Sequence, residues 1–233
     1  MKITLSAVAA LAFLAVALVS GNVARAELIR KPRPAEISAA TAQGLAQRWE
    51  RDSAGTIFPA KIAYGTDLLT NETATRVGIG TTDTCAAALD NTLTSLAARY
   101  GCRAVVRASY IDALDGVVYT VGVLAFPDPT ASARFYNQMP GARFPATGLR
   151  ALALAGTPAA RFDDAARQAS AAQHTGPYVL LAVAGYADGR SASSTGERRP
   201  SAFSPAGQLL TVVTGPLRQV EVPNCQNKSE WSC

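Results

Sequence analysis

Two stretches, Val117 to Phe126 and Tyr178 to Tyr186, are apolar at both alternating sets of positions. A strand with one wet face alternates apolar and polar residues, and these two do not. They therefore read as central strands of a sheet that is covered on both sides. The rest of the chain has to supply two covers, and this requirement governs how the other segments are read.

Val77-Gly78-Ile79-Gly80 reads as a short strand, and Thr82, Asp83 and Thr84 offer helix N-caps after it. Leu89, Leu93, Leu96 and Tyr100 recur at helical spacing, and Gly101 suits a C-cap. A strand follows over 102–110, with Arg103, Val105, Arg107 and Ser109 on one face and Ala104, Val106, Ala108 and Tyr110 on the other. Asp115-Gly116 predicts a hairpin into 117–126. Asp128-Pro129 then opens a helix that runs to about Met139. The order β-α-β-β-α is most of a ferredoxin-like unit, so the fold class is α+β. Leu149 to Ala155 is one candidate for its missing fourth strand. Residues 159–173 suit helix and strand equally, and a hairpin turning at Thr175-Gly176 is the favoured reading because it feeds 178–186. Residues 187–204 read as a loop, and 205–214 as a closing helix ahead of Pro216. Two helices cover one face of such a sheet. The other face falls to the closing helix, the amino-terminal segment or a second copy of the chain, which puts a homodimer among the expected partners.

The amino terminus has a separate character. Lys2 precedes a 17-residue apolar run, Ile3 to Val19, and the small residues Ala24 and Ala26 flank Arg25. This is the pattern of a secretory signal cleaved after Ala26. The alternative is a retained anchor, in which case this segment is the only membrane contact. The chain then divides into the leader (1–26), a linker with an amphipathic helix over 36–51 (27–55), and a single exported domain (56–233). Ile37, Leu45 and Trp49 share a face of that helix. Removing Lys2 and Arg25 with the leader leaves 20 basic and 17 acidic residues, a net charge of +3. That balance is too mild to imply a nucleic-acid partner, and no basic stripe is interleaved with aromatics.

Export places Cys85, Cys102, Cys225 and Cys233 in an oxidising milieu, where they can pair in three ways. Pairing Cys85 with Cys102, and Cys225 with Cys233, is the favoured connectivity. A straight helix over 85–99 would hold its ends ~21 Å apart. A disulfide needs Cα atoms about 4.4–6.8 Å apart. The pairing therefore requires a break, and Asp90-Asn91 is the place for it, because Asp90 can cap a second helix.

No catalytic constellation stands out. His174 is the sole histidine and reads as an exposed turn residue. Gly78-Ile79-Gly80 lacks the third glycine of a dinucleotide fingerprint, so no cofactor is expected. Asp163 and Asp164 are adjacent and point apart. No cysteine spacing suits a metal. The candidate binding residues are Arg103 and Arg107, which share a strand face and suit an anionic envelope polymer or an acidic partner. If that face is buried, both need carboxylate partners.

The set Arg76-Val77-Gly78-Ile79, Thr84-Cys85, Gly101-Cys102, Arg107-Ala108-Ser109-Tyr110, Thr120-Val121-Gly122-Val123, Gly176-Pro177-Tyr178 and Ala184 to Arg190 resembles a group of exported or membrane-anchored actinobacterial proteins of unknown function. A fainter likeness is to extracellular sensor domains of actinobacterial receptor kinases. The resemblance implies an envelope location and no enzyme activity. The expected function is thus a non-enzymatic domain that binds an envelope ligand or protein. A hydrolase using dispersed carboxylates and a structural subunit are the alternatives.

Overall fold

The computed structural model describes residues 2–66, 71–141, 148–194 and 200–221. The chain divides after Thr41 into an amino-terminal helical unit and a sheet unit, residues 42–221. The helices are α1 (Lys2–Ile29), α2 (Pro34–Ala46), α3 (Arg48–Arg51), α4 (Ala54–Ile57), α5 (Cys85–Ala88), α6 (Asn91–Arg99), α7 (Pro129–Gln138) and α8 (Pro205–Arg218). The strands are β1 (Lys61–Tyr64), β2 (Glu72–Ile79), β3 (Ala104–Ile111), β4 (Val117–Ala125), β5 (Ala169–Thr175) and β6 (Tyr178–Tyr186).

In the amino-terminal unit, α1 continues through the apolar run and past Ala24 and Ala26, both exposed. Among the described residues no helix is long and apolar enough to cross a membrane. Residues 30–33 join α1 to α2, and Glu36 organises the entry to α2. Its carboxylate takes a two-pronged hydrogen bond from Arg30 (2.5 and 2.8 Å) and another from the Arg33 N–H (2.8 Å). The Arg30 guanidinium and the Arg33 amide pull the Glu36 pKa down to about 2.

The sheet unit is built on a six-stranded antiparallel sheet in the order β1-β2-β3-β4-β6-β5. As the apolar pattern requires, β4 and β6 are central and buried on both faces. One face carries Val106, Tyr119, Val121 and Leu180 and is covered by α4 and by Leu209, Leu210 and Val213 of α8. The other carries Val105, Val118, Leu124 and Val183 and is covered by α5, α6 and α7 through Leu89, Leu93 and Phe135. The closing helix thus supplies the second cover from within the chain.

The strand order departs from a ferredoxin-like unit, which would seat 117–126 between the first strand and 102–110. Here β2 pairs directly with β3. The chain leaving β2 stays on the flank of β3, where Gly80 N–H reaches Arg107 O (2.9 Å) and Asp83 exchanges backbone hydrogen bonds with Val105. The excursion then closes on itself. Thr84 caps α5, Asp90 caps α6, and the break between them lets Cys85 meet Cys102 with S–S 2.04 Å and Cα–Cα 6.2 Å. A short, folded-back excursion returns the chain beside its starting strand. Cys225 and Cys233 lie outside the described residues.

Three further segments differ from expectation. The helix over 36–51 is split at Gln47 because the Tyr178 hydroxyl enters its hydrogen-bond ladder. That hydroxyl donates to Leu45 O (2.6 Å) and accepts from Trp49 N–H (3.2 Å), two groups that would otherwise bond to each other. Residues 158–166 form two 3-10 turns, and only 169–175 is strand. The hairpin turns at Gly176-Pro177, with Gly176 at φ +49° as the first position of a type II′ turn demands. Finally, 149–155 is not a fourth strand but an irregular strap across the α5–α7 face.

Candidate functional site

The polar residues in the middle of the buried strands converge on that strap. Buried backbone groups must be paired, and a segment outside the sheet has no ladder to supply partners. One backbone bridge, Leu89 with Leu149, supplies some of them, and side chains supply the rest. Arg107 Nη1 donates to Arg150 O (2.9 Å) and Ala151 O (3.3 Å). Ser109 Oγ donates to Leu152 O (2.7 Å), and Thr120 Oγ1 accepts from Leu152 N–H (3.0 Å). Arg167 Nη1 donates to Leu149 O (2.7 Å), Asp164 accepts from Ala151 N–H (2.8 Å), and Asp90 accepts from Gly148 N–H. Ser109 and Thr120 are cross-strand partners 3.1 Å apart, so they grip both backbone groups of one residue.

Glycines make room for the strap. A Cβ on Gly122 would lie 2.7 Å from Leu149, one on Gly80 would lie 3.1 Å from Leu152, and one on Gly78 would lie 2.6 Å from Leu154. The Gly78-Ile79-Gly80 pair therefore serves as a track for two leucines.

The charges around the strap pair among themselves. Arg107 is buried and bonds Asp83 Oδ2 through Nε (3.2 Å) and Nη2 (2.6 Å). Arg167 reaches Asp90 (3.4 Å) and Asp164 (3.5 Å), and Arg150 reaches Asp164 (3.4 Å). Burial pushes the Asp90 carboxyl up, but the Gly148 N–H, Thr92 and Arg167 outweigh it and hold it below the usual carboxylate range. Beside the strap lies a cavity of about 70 Å³ lined by Thr92, Leu93, Gly148, Leu149, Ser170 and Leu181.

The two arginines read as a binding pair stand in different environments. Arg107 has the carboxylate partner that burial requires, and its guanidinium is taken up by Asp83 and the strap. Arg103 is exposed and precedes β3. Asp163 caps a 3-10 turn through Ala165 and Ala166, and Asp112 accepts from Gly116 and Val117 at the hairpin. His174 is half-buried on β5 rather than in an exposed turn. Its Nε2 lies 3.0 Å from Ser132 Oγ, and its ring lies against Tyr136. Ser132 is fully buried and its hydroxyl donates to Gly176 O (2.6 Å), so Ser132 accepts from His174. That polarity is opposite to the one an activated serine needs. Among the described residues no cluster of His, Cys, Asp or Glu is placed to hold a metal ion.

Tyr110, Tyr119 and Tyr178 are additional polar anchors that the sequence patterns leave unmarked. All three sit on the sheet face under α8, and each donates its hydroxyl to a carbonyl of the covering layer: Pro59 O (3.0 Å), Ala202 O (3.5 Å) and Leu45 O (2.6 Å). Burial pushes the phenol of Tyr178 up to about 12 and those of Tyr110 and Tyr119 further. An aromatic in a strand reads as core, and the reach of its hydroxyl emerges only once the cover is placed.

No known protein family, curated protein or solved structure matches this chain.

Proposed function

We propose that this chain is an exported, non-enzymatic interaction domain of the cell envelope, secreted after cleavage at Ala26 or held at the membrane by an uncleaved leader. The observation that carries the reading is the Cys85–Cys102 disulfide. It closes the α5–α6 excursion and suits an oxidising extracytoplasmic location. The leader composition, with Lys2, the apolar run and the Ala24-Arg25-Ala26 site, supports the same destination. The engaged state of Asp83, Asp90, Asp163 and Asp164 supports binding over hydrolysis, because each carboxylate is committed to a cap, an ion pair or the strap.

Cell fractionation with a carbonate wash tests the destination. Protein in the medium or envelope fraction is expected, and protein retained with the cytosol contradicts it. Incubation of the purified chain with envelope glycan and peptide tests the second half, and turnover of either would overturn the non-enzymatic reading.

A further inference from the structure

The two edges of the sheet are treated differently. At one edge, β1 is four residues long and begins with the exposed Lys61. The next residue, Gly65, is clasped by Gln208 of α8 through both its N–H (3.0 Å) and its C=O (2.6 Å). Short length, a lysine and a covering side chain are the usual defences of a sheet edge. At the other edge, β5 has seven residues, Ala-Ser-Ala-Ala-Gln-His-Thr, with no charge and no proline.

Its register shows which backbone groups face outward. The two-residue turn makes Thr175 and Tyr178 a hydrogen-bonded pair, so Gln173, Ala171 and Ala169 also turn their backbone groups toward β6. The Phe126 N–H bond to Pro177 O (2.9 Å) fixes the same parity from the β4 side. Ser170, Ala172 and His174 thus direct N–H and C=O away from the sheet. No backbone hydrogen bond from any described residue reaches them, and Ala172 is exposed. Three outward residues in an unbroken register are a template for another strand.

We propose that β5 pairs antiparallel with β5 of a second copy of this chain about a two-fold axis at Ala172. The argument for a second copy is self-complementarity. A two-fold places Ala172 opposite Ala172 and Ser170 opposite His174, so small faces small and a hydroxyl faces an imidazole. No like charges meet, and each facing pair exchanges two backbone hydrogen bonds. The pairing continues an all-antiparallel sheet across the interface. It does not rest on the exported location, and α8 already covers the sheet face, so the contact is edge to edge.

Sedimentation equilibrium of the full-length protein, compared with Ala172→Pro, tests this. Proline removes an N–H that points away from β6, so the β5–β6 ladder is kept. The expected result is a dimer for the native chain and a monomer for Ala172→Pro, with the thermal transition retained. Ala172→Cys supplies a readout that does not depend on tolerance of proline. Facing residues in a hydrogen-bonded pair have Cα atoms about 5.5 Å apart, within disulfide range, so an intermolecular 172–172 disulfide is expected under mild oxidation. A native chain that stays monomeric would overturn the proposal. So would a dimer that survives Ala172→Pro and fails to cross-link at 172, which would place association on the exposed apolar residues of α1 between Phe13 and Val23 or on another surface. Recovery of an unrelated extended peptide on β5, with the native chain monomeric, would likewise overturn it.

Discussion

Gly185 sets the tightest single-residue constraint in the sheet unit. A Cβ there would lie 2.1 Å from Ala166 O and 2.7 Å from the Phe162 ring. Both belong to the buried segment between the strap and β5, where neither backbone nor ring can yield cheaply. Gly185→Ala is expected to destabilise the fold by about 3 kcal/mol, read as a lowered urea midpoint. At Tyr178 the quantity at stake is a hydrogen bond. Tyr178→Phe removes the hydroxyl that bridges Leu45 O and Trp49 N–H, and a loss of about 1–2 kcal/mol is expected. The two freed groups are in i, i+4 relation and can bond to each other. α2 and α3 should therefore join into one helix, seen as a gain in helical circular dichroism and a shift in Trp49 fluorescence.

Among the elements, the strap has a single backbone bridge, at Leu89 and Leu149, and otherwise depends on side chains donated by others. Arg107→Met keeps the length of the side chain but strands Asp83 and the carbonyls of Arg150 and Ala151. A loss of about 3 kcal/mol is expected, with amide exchange accelerated over 149–152 and little changed in β4 and β6. The strap also marks the limit of what is legible in the sequence. The limits of β6, the start of α7 and the hairpin at Asp115-Gly116 follow from period-two patterning, an Asp-Pro cap and turn chemistry, all local signals. The break at Asp90 is legible because a disulfide and a straight helix are geometrically incompatible. The strap is not, since its backbone partners lie on other segments, β3, β4 and 164–167 among them, and nothing within 149–155 encodes them. Arg107, Ser109 and Thr120 are visible as polar residues on a buried strand, but what they hold is not. The same limit applies to Gly78 and Gly80, whose spacing resembles the start of a nucleotide-binding loop and whose role is to seat Leu152 and Leu154.

For the whole molecule, the two faces of the sheet set opposite limits of pH. Asp90 is held below its ordinary value in the fold, so its stabilisation is present above pH about 4 and is lost as pH falls through the folded-state value. Tyr178, Tyr110 and Tyr119 are held above theirs. Their contribution is complete below pH about 10 and is lost as pH rises toward 12 and beyond. Stability measured by denaturant melts is expected to be level between these limits. Acid should loosen the strap side first and alkali the α8 side first. The Cys85–Cys102 bridge ties the start of α5 to the residues just ahead of β3, and its reduction should cost about 3 kcal/mol for a loop of this length. Non-reducing peptide mapping of the protein recovered from its native compartment tests export and cross-linking most directly. A chain beginning at Glu27, or an intact leader in the membrane fraction, is expected, with Cys85 and Cys102 in one cross-linked peptide; an intact Met1 in soluble protein whose thiols at 85 and 102 both alkylate without reduction would contradict both.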